Sequence, residues 1–177
     1  MNLRVLSGMM AAVAVLGLAA CSSDKTGDCP TITGVTDASV ATTFRAGTTP
    51  DPSNVLYTAE LTSVKGECDL DKKERTSDAS LQLSFRVTRP PSGAGAHYTI
   101  PYFVAVTEGR RILAKRNYTV QIDFAPGQTV ATASDSVGSA HLDVAKDKHP
   151  YDYQVLAGLQ LSRAQLDYSR RTGHYGP

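Results

Sequence analysis

Ser139, His141 and Asp143 occupy alternate positions in "SAHLD", and a serine, a histidine and an aspartate are the three members of a nucleophilic triad. On a strand, residues at i, i+2 and i+4 project from one face. A working triad instead converges from separate elements, so that hydroxyl, imidazole and carboxylate meet in one line of hydrogen bonds. Three neighbours along one strand therefore read as a solvated strand face. The four histidines, His97, His141, His149 and His174, form no HxH, HxxxH or HExxH pattern and so lack the spacing of a zinc site. "SGAGAH" contains a GxG but neither the second half of a nucleotide fingerprint nor the helix that follows one, and it reads as a loop. "DLDKKER", Asp69 to Arg75, lacks the ligand spacing of a calcium loop and reads as an exposed hairpin end. No catalytic residue, metal site or cofactor is expected.

The chemistry that remains is that of cysteine and tyrosine. The chain has three cysteines, Cys21, Cys29 and Cys68. Cys21 ends an uncharged run, "VLSGMMAAVAVLGLAA" from Val5 to Ala20, which follows one positive charge at Arg4. A basic start, an apolar stretch and small residues at its end make a secretory signal peptide. The run is short for a membrane-spanning helix, which needs about 18 or more apolar residues. The other reading, a buried N-terminal helix, lacks a polar face at helical spacing.

"LAAC" resembles the lipobox of bacterial lipoproteins. The resemblance implies cleavage between Ala20 and Cys21, a diacylglycerol on the Cys21 sulfur, and commonly a third acyl chain on the new amino terminus. Membrane lipid would then be the first partner, held through acylated Cys21. Two or more acyl chains hold firmly, at about 0.8 kcal/mol per buried methylene. Ser22 follows the cysteine where an aspartate resembles an inner-membrane retention signal. Location therefore leans to the periplasmic face of the outer membrane, with the inner membrane as the alternative. In such a protein "NYT" at Asn117 is no glycosylation site, because the eukaryotic pathway is absent.

Lipidation of Cys21 leaves Cys29 and Cys68, an even pair in an oxidising compartment, and a disulfide is expected. The alternatives are two free buried thiols or, with no neighbouring CxxC or paired histidine, a metal site. Residues 21–28 read as the lipidated terminus and a short tether, since "SSDKTGD" is polar or glycine throughout. A bridge at Cys29 would leave a tether of about 25–30 Å at full extension and keep the globular part beside the bilayer.

Composition narrows the remaining classes. Loss of residues 1–20 removes Arg4 from the 18 basic residues, leaving 17 against 17 acidic ones. That balance argues against a nucleic-acid surface. It also gives no reason to expect attraction to anionic lipid. The mature 157 residues suit a single domain, 29–177, with a sizeable core. They contain neither Met nor Trp, which excludes a methionine-rich groove.

The elements that must position these residues have period two. "LQLSFRVTR" puts Leu81, Leu83, Phe85 and Val87 on one face. "YTVQIDF" does so for Tyr118, Val120, Ile122 and Phe124, and "YDYQVLAGLQL" for Tyr151, Tyr153, Val155, Ala157, Leu159 and Leu161. Such alternation marks strands with one buried and one wet face, as in antiparallel sheets. In "VLYTAELTSVKGEC" the phase slips before Val64, which predicts a bulge near Thr62–Ser63. "YTIPYFVAVT" reads as a central strand, with Pro101 better suited to an edge or bulge. "EGRR", "FAPGQT" and "TRPPSGAGAH" supply turns and a loop, while Ala131 to Ser139 is poorly patterned. Ser162 and Gln165 form a capping box for a short C-terminal helix that ends near Arg170 and Arg171.

The sum is an all-β, antiparallel sandwich of immunoglobulin or fibronectin type with one terminal helix. "YDYQVLAGL" resembles a late strand of such sandwiches, where a tyrosine precedes the strand core. "PYFVAVT…RRILAKRNYTVQIDFAPGQ…DYQVLAGLQLSRAQLDYSRR" is similar to uncharacterised alphaproteobacterial envelope lipoproteins, a likeness that implies location and fold alone. Tyr57, Tyr118 and Tyr153 fall on core faces. Tyr102, with Tyr98, Ile100 and Val104, is open to either reading, and Tyr168 and Tyr175 are candidates for exposure. The expected role is non-enzymatic binding or support of other envelope proteins, without nucleic acid. The alternative is a small-ligand or glycan module with a groove of exposed tyrosines.

Overall fold

The structure, a computed structural model, describes residues 29–173. The Ala20–Cys21 junction, Cys21 itself, the tether, His174 and Tyr175 lie outside the described residues. Eight strands and one helix run β1 (Thr31–Gly34), β2 (Val40–Phe44), β3 (Val55–Asp71), β4 (Thr76–Thr88), β5 (Ala96–Glu108), β6 (Arg111–Phe124), β7 (Val130–Asp143), β8 (Tyr153–Leu159) and α1 (Arg163–Thr172). They form two four-stranded sheets, ordered β1-β8-β5-β6 and β2-β3-β4-β7. Every neighbouring pair is antiparallel except β1 and β8, which run parallel from Thr31↔Gln154 to Gly34↔Ala157. The result is a β-sandwich in which the last strand pairs with β5 rather than with its predecessor. No helix among the described residues is long and apolar enough to cross a membrane.

The core follows the alternation. Leu81, Leu83, Phe85 and Val87 of β4 point inward and are at most 3% exposed. They face Ile100, Tyr102, Val120, Ile122, Val155 and Leu159 of the other sheet. Burial of each large apolar side chain stabilises by about 1.5–3 kcal/mol. The slip in β3 is a bulge between Leu61 and Ser63, which returns Val64 to the inner side.

Pro101 lies in a strand flanked on both sides, yet costs no ladder bond. Its carbonyl accepts from the Gln160 amide at 2.9 Å, just past Leu159, where β8 ends. Its nitrogen faces the same side, beyond the last β8 residue, so a missing donor there is harmless.

The unpatterned stretch is the first half of β7, and its irregularity has two causes. The inward positions hold small Ala131 and Ala133 and then Asp135, whose carboxylate accepts from the buried Tyr102 hydroxyl at 2.7 Å. The register then shifts between the Ala79↔Ala140 and Leu81↔Val137 pairs, so that Gly138 and Ser139 stand opposite one residue. Leu142 beyond the bulge is again buried.

Two tyrosines differ from the sequence reading. Tyr151 precedes β8 in a short 3-10 turn, Pro150–Asp152, and is 54% exposed, because the strand face begins only at Tyr153. Tyr168 is buried: α1 folds back so that its ring meets Phe44 edge-on at 4.9 Å. Helix α1 has the expected cap, Ser162 Oγ accepting from the Gln165 amide and Gln165 Oε1 from the Ser162 amide. Gly173 closes it in the left-handed conformation.

Candidate functional site

Ser139, His141 and Asp143 do share the outer face of β7, and Asp78 of β4 stands opposite His141. Asp78 is the hub of the group. Its Oδ1 accepts from Ser139 Oγ at 2.7 Å and lies 3.0 Å from His141 Nδ1. His141 Nε2 is 3.5 Å from Asp143 Oδ1. The Ser139 hydroxyl thus donates to a carboxylate and not to the imidazole, and both imidazole nitrogens point at carboxylates. Both carboxylates favour the protonated imidazole. Asp78 and then Asp143 raise the His141 pKa, while the Ser139 hydroxyl, ahead of His141, lowers that of Asp78. The order of contacts is that of an exposed ionic cluster, not of a nucleophile and its base. Among the described residues no group of three or more His, Cys, Asp and Glu side chains could hold a metal ion.

His97 repeats the pattern on the other sheet. It pairs across the strands with Asp123 at 2.6 Å, and that carboxylate raises its pKa. Thr99 and Gln121 bond one step along at 2.8 Å. These are cross-strand polar pairs on a wet face.

Tyr102 is the largest of the fully buried side chains among the described residues, 1% exposed. It stacks on Tyr118 with ring centres 5.3 Å apart and tilts against Phe85 at 5.2 Å. Burial, and then the hydrogen bond to Asp135, push its phenol pKa far up. The hydroxyl stays protonated and serves as a fixed donor.

Two arginines hold loops, and alternation gives no sign of either. Arg89 is buried under Phe124, its Cζ 4.7 Å from the ring centre, and donates to the carbonyls of Gln128, Ala94 and Ala125 at 2.8, 2.8 and 3.3 Å. It welds the 89–95 loop to the 125–129 turn at one end of the sandwich. At the other end Arg75 donates to the carbonyls of Val144, Ala145 and Lys148. A lone arginine beside a glycine-rich or turn segment is the only sequence signal of such a clamp.

The Cys29–Cys68 disulfide is formed, with the Cα atoms 6.0 Å apart. It ties the start of β1 to β3 of the opposite sheet. Beside it runs an open groove of about 870 Å³, bordered by Pro30, Ile32, Lys65, Glu67 and Tyr151. Ile32 fills part of the space over Gly66, where a Cβ would stand 2.6 Å from Ile32 Cδ1 and 2.9 Å from the Ser80 carbonyl oxygen. Of the tyrosines described, Tyr57, Tyr102, Tyr153 and Tyr168 are buried and Tyr98 and Tyr118 half-buried. Tyr151 alone offers an exposed ring to the groove, stacked on His149 at 4.9 Å.

No family model, curated protein or solved structure matches the chain.

Proposed function

We propose that the chain is a non-enzymatic lipoprotein of the bacterial envelope. It is anchored through acylated Cys21, faces the periplasm from the outer membrane, and binds or supports other envelope proteins. The Cys29–Cys68 bridge is the observation that carries this reading. It accounts for two of three cysteines and leaves Cys21, in "LAAC", as the odd one. A disulfide also belongs to an oxidising compartment, which a secreted chain reaches and a cytosolic one does not. The ionic character of the Asp78–Ser139–His141 cluster supports a binding role over a catalytic one.

The test has two arms. Cys21→Ser should abolish incorporation of radiolabelled palmitate and release the protein from the membrane fraction; retained labelling would sink the anchor. Crosslinking in intact cells should then trap a discrete envelope protein, and a strictly solitary chain would sink the supporting role.

A second reading, a small-ligand or glycan module, draws on the groove beside the disulfide and its exposed Tyr151. Sugars stack on aromatic faces, and here one such face is available. Tyr151→Ala should then weaken binding to a soluble glycan panel.

A further inference from the structure

We infer that the tip of the β5–β6 hairpin docks on the bilayer surface, so that the domain stands on the membrane with one fixed end down. The inference rests on the anchor at Cys21 proposed above. Among the described residues four large apolar side chains are exposed: Ile112 at 61%, Leu113 at 41%, Tyr151 at 54% and Val130 at 47%. Three of the four lie at the end where the chain enters the fold. Thr31, two residues after the bridged Cys29, pairs with Gln154. Gln154 pairs with Thr107 on its other side, and Thr107 pairs with Ile112. Thr31 and Ile112 therefore stand in one cross-strand row, three strand spacings or about 14 Å apart. Tyr151 borders the groove against Cys29 itself.

The reach of the tether separates this end from the other. Eight residue steps from Cys21 to Cys29 span at most about 26–29 Å. Ile112 is well inside that radius. Val130, the fourth exposed apolar residue, pairs with Thr88, nine residues along β4 from Ala79, the partner of Cys68. That is about 30 Å of strand before any sideways offset, so a fully extended tether falls short of planting that end on the bilayer.

Local charge complements the apolar tip. Residues 109–117, "GRRILAKRN", contain Arg110, Arg111, Lys115 and Arg116 and no acidic residue, and all nine are exposed. The even balance of the whole chain conceals this patch. Glu108, at the base, is matched by Arg111 and by Lys148 at 3.4 Å. Apolar side chains flanked by lysine and arginine are the composition of a surface that settles at the headgroup boundary of an anionic leaflet. Residues 111–117 of β6 bury no side chain, so core packing gives no reason for Ile112 and Leu113 there.

The absence of tryptophan makes the test clean. Single Ile112→Trp and Val130→Trp variants of the full-length lipidated protein, both at exposed sites, are reconstituted into vesicles of phosphatidylglycerol and phosphatidylcholine, with and without brominated acyl chains. Flotation and palmitate labelling report the anchor, and circular dichroism reports the fold. With shallow burial of about 5–10 Å, emission at position 112 should shift to the blue and be roughly halved by bromine, while that at 130 is unchanged. Flotation without quenching at 112, or equal quenching at both positions, overturns the docking and leaves the anchor standing. Failure to label and float overturns both.

Discussion

Replacing both bridged cysteines, Cys29→Ala with Cys68→Ala, should lower stability by about 4 kcal/mol. The bridge closes a loop with a sequence separation of 39. In the chain-entropy account, closing a loop of about 40 residues removes about 13 cal/mol/K from the unfolded ensemble, or about 4 kcal/mol at 25 °C. Unfolding entropy of about 2.1 cal/mol/K per residue over residues 29–173 is about 0.3 kcal/mol/K. The quotient is a fall in Tm of about 13 °C. The local structure gives the native state little means to offset it. β1 is a four-residue edge strand, paired on one side only, and its β3 contacts lie beside the bridge. Thermal unfolding followed by circular dichroism, with the double variant beside the parent and the parent beside its reduced form, reads the shift. A fall of less than about 3 °C in the double variant would refute the reasoning, because the two sheets would then be joined at that end without help from the bridge.

Four further outcomes are expected. Gly66→Ala should cost about 1–3 kcal/mol, since its Cβ meets the fixed Ser80 carbonyl as well as Ile32, and hydrogen exchange should quicken first in β1. Tyr102→Phe should cost about 1–3 kcal/mol in urea unfolding, because it leaves Oδ2 of the half-buried Asp135 without its donor; Asp135→Asn, which keeps an acceptor, should cost less. Ser162→Ala should cost about 0.5–2 kcal/mol through loss of the α1 cap, read as a lower Tm. The folded His141 pKa lies above the ordinary 6.5, so its ionic contacts stabilise fully below that value and are lost as pH rises through the raised one. The stability gap between the parent and His141→Ala should therefore be wider at pH 5 than at pH 9.

Most of the sandwich was legible because alternation is a strict local code. Leu81 to Val87, Tyr118 to Phe124 and Tyr153 to Leu159 each keep period two without interruption, and the bulge at Leu61–Ser63 announced itself as a slipped phase. What escaped has equally local causes. β7 fills inward positions with alanine and an aspartate, and its bulge at Gly138–Ser139 resets the phase midway, so neither size nor polarity marks its inner face. Tyr151 keeps the strand's parity but lies outside it, since Pro150 and the Asp152–His149 contact fold those residues into a turn. The burial of Tyr168 depends on α1 returning to β2, a contact between residues far apart in the chain. The serine, histidine and aspartate of β7 were readable as a strand face, but not the role of Asp78, which only register brings opposite His141.

The same limit governs charge. Seventeen against seventeen is a property of residues 21–177 as a whole, and an electric field near a surface is a property of what lies within a Debye length, about 8 Å at physiological salt. Over that distance the β5–β6 tip presents Arg110 and Arg111 with Ile112 and Leu113, while Asp78 and Asp143 lie on the outer face of the other sheet. Neutral composition and a basic, apolar end are therefore compatible, and the fold is what separates them. The Cys29–Cys68 bridge, the Arg75 clamp and the Glu108–Lys148 pair all reinforce that one end. The Arg89 clamp fastens the opposite end in the same way, so what sets the β5–β6 tip apart is its exposed apolar and basic side chains rather than its cross-links.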